Sequence, residues 1–297
     1  MGSARFGRVL SAMVTPFHDD GALDPDGAAH LAQWLVAHGN DGLVLTGTTG
    51  EGPTLSDDEA VELWTAVRSA VDVPLLAGTG SNATRHTIGL SKRAAATGVD
   101  GLLVVSPYYN RPPQAGIDAH YRALAEAVDL PIVLYDVPGR TGRALSVDTI
   151  VGLATDVPTI VGIKDARGNP FETAQIVAGA PADFDVYSGD DGLTLPLLAV
   201  GAVGVVGVAT HWSGVLHGEM IAAFVKDDPQ TARAINARLL DSFAYEVTDL
   251  WQQASAVKAL LTELGLPSGP CRLPLPPVPD EARARARHII DALGVTK

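Results

Sequence analysis

The segment Thr159–Asn169, TIVGIKDARGN, places Lys164 at the end of an apolar, β-branched run. Ile160, Val161 and Ile163 read as a buried strand, so the lysine must reach water, pair with a carboxylate such as Asp165, or give up its charge. The last option is chemically productive. A free lysine titrates near ~10.4, and desolvation or nearby positive charge is needed to make it a nucleophilic amine at neutral pH. The imine it forms with a carbonyl substrate is an electron sink, so the α-carbon can lose a proton and attack an aldehyde without a metal. Position alone leaves the structural and catalytic readings both open.

Other reactive side chains fall where apolar runs end. TGTTGEGPT carries Thr48 and Thr49, SPYYNRPP carries Tyr108 and Tyr109, and YDVPGRTG carries Tyr135 and Arg140. A tight turn explains the glycines of the first motif but not its two hydroxyls. The tyrosine pair reads equally as packing or interface, and Arg140 as a solvated charge or a bidentate carboxylate clamp. Tyr135 is suited to relay protons for imine formation if its hydroxyl is coupled to another, with Thr48 and one of the paired tyrosines completing the relay. GTTGEG lacks the Gly-Lys-Ser/Thr of a P-loop, and AGTGSNAT has Ala83 where a dinucleotide fingerprint needs its third glycine. No Cys/His cluster has zinc spacing, so neither a metal nor a cofactor is expected.

Short apolar runs alternate with longer amphipathic segments. Strands are predicted at Val9–Val14, Gly42–Leu45, Pro74–Ala77, Gly101–Val105, Ile132–Tyr135, Ile160–Ile163, Asp185–Tyr187 and Val203–Val208. The intervening helices include Pro25–His38, Ser56–Ala70 with SDDE as a capping box, Thr84–Thr97 and Ala115–Val128. Eight continuously apolar strands, each followed by a helix, predict an α/β chain folded as a (β/α)8 TIM barrel, with a doubly wound open sheet as the alternative. In a barrel all the residues above converge on the mouth where the strands end. Beyond it the pattern is helical, roughly Gly214–Val225, Pro229–Phe243, Tyr245–Leu264 and Pro279–Leu293, with the proline-rich GLPSGPCRLPLPPVP before the last. The expected division is a catalytic barrel over 1–225 and a C-terminal helical extension over 226–297.

Composition narrows the function class. With 34 acidic against 21 basic residues the formal charge is −13, which disfavours nucleic acid and anionic lipid as partners. The single cysteine, Cys271, excludes an intrachain disulfide and points to a reducing, cytoplasmic setting. The N-terminal MGSARFGRVLSAMVTPF lacks the apolar core of a secretory signal, and Leu195–Ala209 is too short and glycine-interrupted for a membrane span, so it is expected as a buried helix followed by a strand.

Taken in order, GTTGE, SPYYNRPP, YDVPGRTG, GIKDA, YSGDD and VKALLTELGLPSG…RLPL resemble the dihydrodipicolinate synthase family, within the wider superfamily of pyruvate-dependent lyases. The resemblance runs from Val9 to about Pro276. It implies that Lys164 forms a Schiff base with pyruvate and that Thr48, Tyr135 and Tyr109 form a proton relay, Tyr109 coming from the neighbouring subunit of a tight dimer. Thr49 and Val208 would join Thr48 in the pyruvate site. Arg140, where neuraminate lyases carry an apolar residue, would receive the carboxylate of aspartate semialdehyde. A homotetramer built as a dimer of dimers is implied, as is a role in lysine and diaminopimelate biosynthesis. Alternatives are a lyase using a sugar-derived aldehyde, of the neuraminate or 2-keto-3-deoxy sugar-acid type, and a non-catalytic pyruvate-binding barrel.

The chain departs from the family pattern at several places. Asp136 replaces an asparagine, Gly52 a serine, Asp57 and Ala60 two histidines, and His86 an acidic residue. The last three positions accompany lysine feedback in sensitive members, so weak inhibition by lysine is expected. GVATHW replaces the usual strand-eight ending, leaving His211 as either a pocket residue or a cap.

Overall fold

A computed structural model describes residues 4–296. Eight parallel strands, β1 (Val9–Ala12), β2 (Gly42–Leu45), β3 (Leu75–Gly78), β4 (Gly101–Val105), β5 (Ile132–Asp136), β6 (Ile160–Asp165), β7 (Asp185–Ser188) and β8 (Gly204–Gly207), close into a barrel in sequence order. Between them run α1 (Pro25–Ala37), α2 (Asp57–Ala70), α3 (Thr84–Ala96), α4 (Gln114–Ala127), the single-turn α5 (Pro138–Thr141), α6 (Val147–Asp156), α7 (Pro170–Gly179) and α8 (Thr194–Ala199). After β8 come α9 (Thr210–Val225), α10 (Pro229–Glu246), α11 (Gln253–Glu263) and α12 (Asp280–Leu293). This is the TIM barrel expected from the alternation of apolar and amphipathic segments, and Leu195–Ala209 is a helix followed by a buried strand, the helix burying Leu197 and Leu198 but exposing Pro196 and Ala199. No helix among the described residues is long and apolar enough to cross a membrane. The SDDE box also forms: Ser56 Oγ accepts from the Glu59 amide while the Glu59 carboxylate accepts from the Ser56 amide.

The strands read as unbroken apolar runs because both of their faces are buried. One set, including Leu10, Val44, Leu76, Leu103, Val133, Tyr135, Tyr187 and Val206, packs inside the barrel. The alternate set, including Leu43, Leu45, Leu75, Ile132, Leu134, Ile160 and Ile163, packs against the helices and continues into Val257, Leu260, Ala282 and Ile289 of the last two helices.

Strict alternation would turn Lys164 outward with Ile160, yet it faces inward. The β5–β6 register explains this: Ile132 lies opposite Ile160, but Val133 lies opposite Gly162, so Val161 is an extra residue in β6. A single inserted residue shifts the phase of everything after it. Ile163 therefore shares the outer face of Leu134, and Lys164 the inner face of Tyr135 and Tyr187. Gly162 makes the irregularity possible, since a Cβ there would lie 2.5 Å from the Asp185 carbonyl oxygen.

His211 closes the barrel seam. It is fully buried; its Nδ1 donates to the Val208 carbonyl at 2.7 Å and its Nε2 accepts from the Val14 amide at 3.1 Å. The ring thus joins the end of β8 to the end of β1, and only the neutral Nδ1–H tautomer makes both bonds. It is a structural staple rather than a pocket residue.

One helical segment differs from expectation. Tyr245–Leu264 is interrupted over residues 247–252, where Val247 is extended and the Thr248 hydroxyl accepts from the amides of Leu250 and Trp251. The indole of Trp251 donates to the Tyr245 carbonyl at 2.8 Å and fixes the break. A threonine that offers its neighbours' amides an alternative acceptor competes with the helix. The break starts α11 afresh at Gln253.

Burial lowers the His211 imidazole to about 4, against the opposing pull of its bond to Val208, and burial does the same at His120. Both folded values lie below the unfolded value of about 6.5, so stability is full above that pH and is lost as pH falls toward 4. Urea unfolding across this window should show a midpoint that falls with pH, less steeply in His211→Gln than in the wild type. Equal slopes would remove His211 as a source of the acid sensitivity.

Candidate active site

The amine of Lys164 lies inside the barrel near its C-terminal mouth. The residue is only 5% exposed, and its Nζ sits 4.6 Å from the centre of the Tyr135 ring. Close approach of the chain after β7 confines it: a Cβ on Gly189 would lie 3.0 Å from Lys164 Cγ, so that position must lack a side chain for the lysine to lie as it does. Among the described residues, no carboxylate is within ion-pair distance of the amine.

The acidic neighbours in sequence point the other way. Asp165 and Asp136 occupy the outer face, where the buried guanidinium of Arg167 makes bonds of 3.0 and 2.8 Å to the two Asp165 oxygens and one of 3.0 Å to Glu172, with Asp136 3.6 Å away. Burial works to raise the Asp165 carboxyl, but Arg167 and the Thr173 hydroxyl hold it below the usual carboxylate range. Asp136 gets less help. Burial pushes its carboxyl up to about 7, and its Oδ2 accepts from the Leu145 amide at 3.2 Å, tying β5 to the end of the turn that carries Arg140. The asparagine-to-aspartate departure is thus accommodated against Arg167, behind the strand.

A cavity of about 410 Å³ opens at this mouth. Thr48, Tyr135, Tyr108 and Arg140 line it, and Asp57 and His86 stand on its rim, ion-paired at 2.9 Å. Thr49 is almost fully buried beside Thr48. Arg140 lies on α5, exposed, with its guanidinium 3.2 Å from Gln253 Oε1. Thr48, Thr49, Tyr135, Lys164 and Arg140 therefore gather at one end of the barrel. Tyr109 and Val208 are placed differently. Tyr109 is 88% exposed on a loop with φ of +73°, a conformation unfavourable for a bulky side chain. Val208 has its amide on Asp191 at 2.7 Å and its carbonyl on His211, and its side chain joins the outer apolar layer.

Two contributors were not singled out in the sequence. Gln253, at the start of α11, donates from Nε2 to Thr49 Oγ1 at 3.0 Å as well as accepting from Arg140. Lys258, on the same helix, pairs at 2.7 Å with Glu51, whose φ of +54° bends the GTTGEG loop. The Lys258 amine also donates to the Pro270 carbonyl at 2.8 Å and lies over the Phe17 ring. Burial lowers its pKa, opposed by Glu51. A lysine amid the apolar AVKALL of a buried helix was the available signal.

Comparison with known proteins agrees with this geometry. Residues 5–293 match the Dihydrodipicolinate synthetase family. A 4-hydroxy-tetrahydrodipicolinate synthase from Acidothermus cellulolyticus is 52% identical, over 99% of this chain and 94% of that protein. A dihydrodipicolinate synthase from Cyanidioschyzon merolae, solved with lysine bound, superposes with a TM-score of 0.93 at 43% identity, covering 97% of this chain and 98% of that one. The chloride-inhibited synthase from Acinetobacter baumannii, complexed with pyruvate, gives a TM-score of 0.91 at 36% identity over 98% and 99% of the two chains. With a match along nearly its whole length, this chain belongs to the Dihydrodipicolinate synthetase family.

Proposed function

We propose that the protein is a Schiff-base lyase that condenses pyruvate with L-aspartate 4-semialdehyde to 4-hydroxy-tetrahydrodipicolinate, the step of lysine and diaminopimelate biosynthesis catalysed by its relatives. The observation that carries the residue assignment is the inward, unpaired position of Lys164 beside Tyr135. Its amine attacks the ketone carbon of pyruvate and water leaves, forming the imine. Loss of a methyl proton then gives an enamine, whose carbon attacks the aldehyde carbon of the second substrate. That substrate's amino group closes the ring on the imine carbon and displaces Lys164, so the net reaction releases one water and regenerates the amine.

Tyr135, Thr48 and the partner subunit's Tyr109 carry protons in and out of these steps. Support for the last comes from the exposure and left-handed backbone of Tyr109, which present its ring away from its own barrel. The reading includes a homo-oligomer, a tetramer composed of two tight dimers, and the exposed Tyr109 supports its dimer contact. The hydroxyls of Thr48 and Thr49 hold the pyruvate carboxylate. Arg140 holds the carboxylate of the semialdehyde bidentately. Covalent imine chemistry on Lys164 needs no cofactor, and a lone cysteine supports a reducing, cytoplasmic setting for the reaction.

Borohydride with pyruvate should inactivate the enzyme and leave a mass adduct on the peptide that contains Lys164. An adduct on Lys92, Lys226 or Lys258 instead would remove the assignment. Lys164→Ala should fold normally, trap nothing and lose turnover by roughly a thousandfold or more, as expected for a missing nucleophile. Arg140→Ala should trap pyruvate like the wild type while KM for the semialdehyde rises by roughly tenfold or more, the scale of a lost charge-assisted hydrogen bond. Turnover with a sugar aldehyde but not with the semialdehyde would transfer the same chemistry to another lyase. Because the Asp57–His86 ion pair occupies the rim, millimolar lysine should leave the rate essentially unchanged; a substantial loss in a steady-state assay would contradict this.

A further inference from the structure

The polarity of one amide constrains both ends of the site. A guanidinium only donates hydrogen bonds, so the group of Gln253 that faces Arg140 must be its carbonyl oxygen Oε1. That turns the amide nitrogen toward Thr49, where Nε2 donates to Oγ1 at 3.0 Å. The Thr49 hydroxyl, accepting there, keeps its own proton to donate elsewhere, and no other partner for it is found among the described residues. A flipped amide would set donor against donor at Arg140.

From this we propose that Gln253 is a positioning residue that couples the two carboxylate subsites: it makes Thr49 a hydrogen-bond donor toward pyruvate and holds Arg140 ready for the second substrate. The inference rests on the subsite assignments given under the proposed function. Three features support it. Arg140 is exposed and belongs to a helix of a single turn, so Gln253 is what restrains its flexible side chain. Thr49 is almost fully buried, where a hydroxyl proton aimed wrongly would oppose a carboxylate rather than bind it. Gln253 itself is the first residue of α11, and the break over residues 247–252 is what brings that helix start to the mouth.

The amide is therefore expected to act on affinity more than on chemistry. It touches neither Lys164 nor Tyr135, so the imine and enamine steps proceed without it.

The test uses the full-length enzyme and two variants. Gln253→Met keeps the length of the side chain and removes both hydrogen bonds. Gln253→Glu keeps an acceptor for Arg140 but has no proton for Thr49, and its charge competes directly with the semialdehyde carboxylate. Pyruvate affinity is read from the concentration that half-saturates borohydride trapping, independently of the second substrate, and KM for the semialdehyde from steady-state rates. For Gln253→Met, both constants should rise by about fivefold to tenfold, the effect of losing one modest hydrogen bond at each subsite. Its kcat should stay within about threefold and its thermal midpoint within a few degrees. Gln253→Glu should match it for pyruvate and exceed it by about tenfold for the semialdehyde, because the charge of Arg140 is already met.

Wild-type constants in a folded Gln253→Met would overturn the coupling. So would identical constants for the two variants, since the polarity of the group would then be immaterial. A fall in thermal midpoint with unchanged constants would reduce Gln253 to a pin for α11 and overturn it as well. Failure of the wild type itself to trap pyruvate would instead strike the proposed function, so the two failures are distinguishable.

Discussion

A buried amine turned into the barrel, with no carboxylate within ion-pair distance among the described residues, is the condition on which the rest of the candidate site depends. Burial alone is not enough, because a lysine one residue out of phase would lie among the helices. The extra residue in β6 supplies the missing half-turn of the strand: Val161 is inserted opposite β5, and Lys164 moves onto the face of Tyr135. Gly162 permits the insertion and Gly189 leaves room for the lysine stem, so two absent side chains determine where the Lys164 side chain goes.

The same phase shift separates charges. Asp136 and Asp165 adjoin Tyr135 and Lys164 in sequence, and on the inner face either could engage the amine in an ion pair. Turned outward, they meet Arg167, which neutralises Asp165 directly and Asp136 at longer range. The balance there is unequal, since burial leaves Asp136 with a carboxyl raised to about 7. A buried cation behind the strand thus engages the two carboxylates that adjoin Tyr135 and Lys164 in sequence, leaving neither of them paired with the inward amine.

Much of this was readable from residue pattern. The strands are legible because a doubly covered parallel strand has no polar face, and the barrel follows from their number and spacing. The Ser56–Glu59 capping box is legible because its two hydrogen bonds are local. Lys164, Tyr135, Thr48, Thr49 and Arg140 could be gathered at one mouth since each ends a strand or follows one closely. What sequence could not supply was direction. Nothing in IVGIKD says that the alternation slips, because the slip is set by pairing with β5. The helix break has another reason: the apolar residues of YEVTDLWQQ fit a helical period, and hydrophobic spacing does not register the competing bonds of Thr248 and Trp251. His211 was ambiguous because its two partners, Val14 and Val208, meet only when the barrel closes.

The helices beyond β8 are part of the site's construction. A closed barrel has no sheet edge left to pair, so the chain after α9 adds nothing to closure. It reaches the mouth instead. Lys258 pairs with Glu51 and Arg272 forms a bidentate pair with Glu59, fastening both the bent GTTGEG loop and the start of α2. Arg272 holds the Glu59 carboxyl near 2, so this attachment is ionised throughout the neutral range. Gln253 completes the set by joining Thr49 to Arg140, two residues whose loops belong to different strands and otherwise have no common support. The barrel carries the inward amine, and the appended helices fix the spacing between the loops of Thr49 and Arg140.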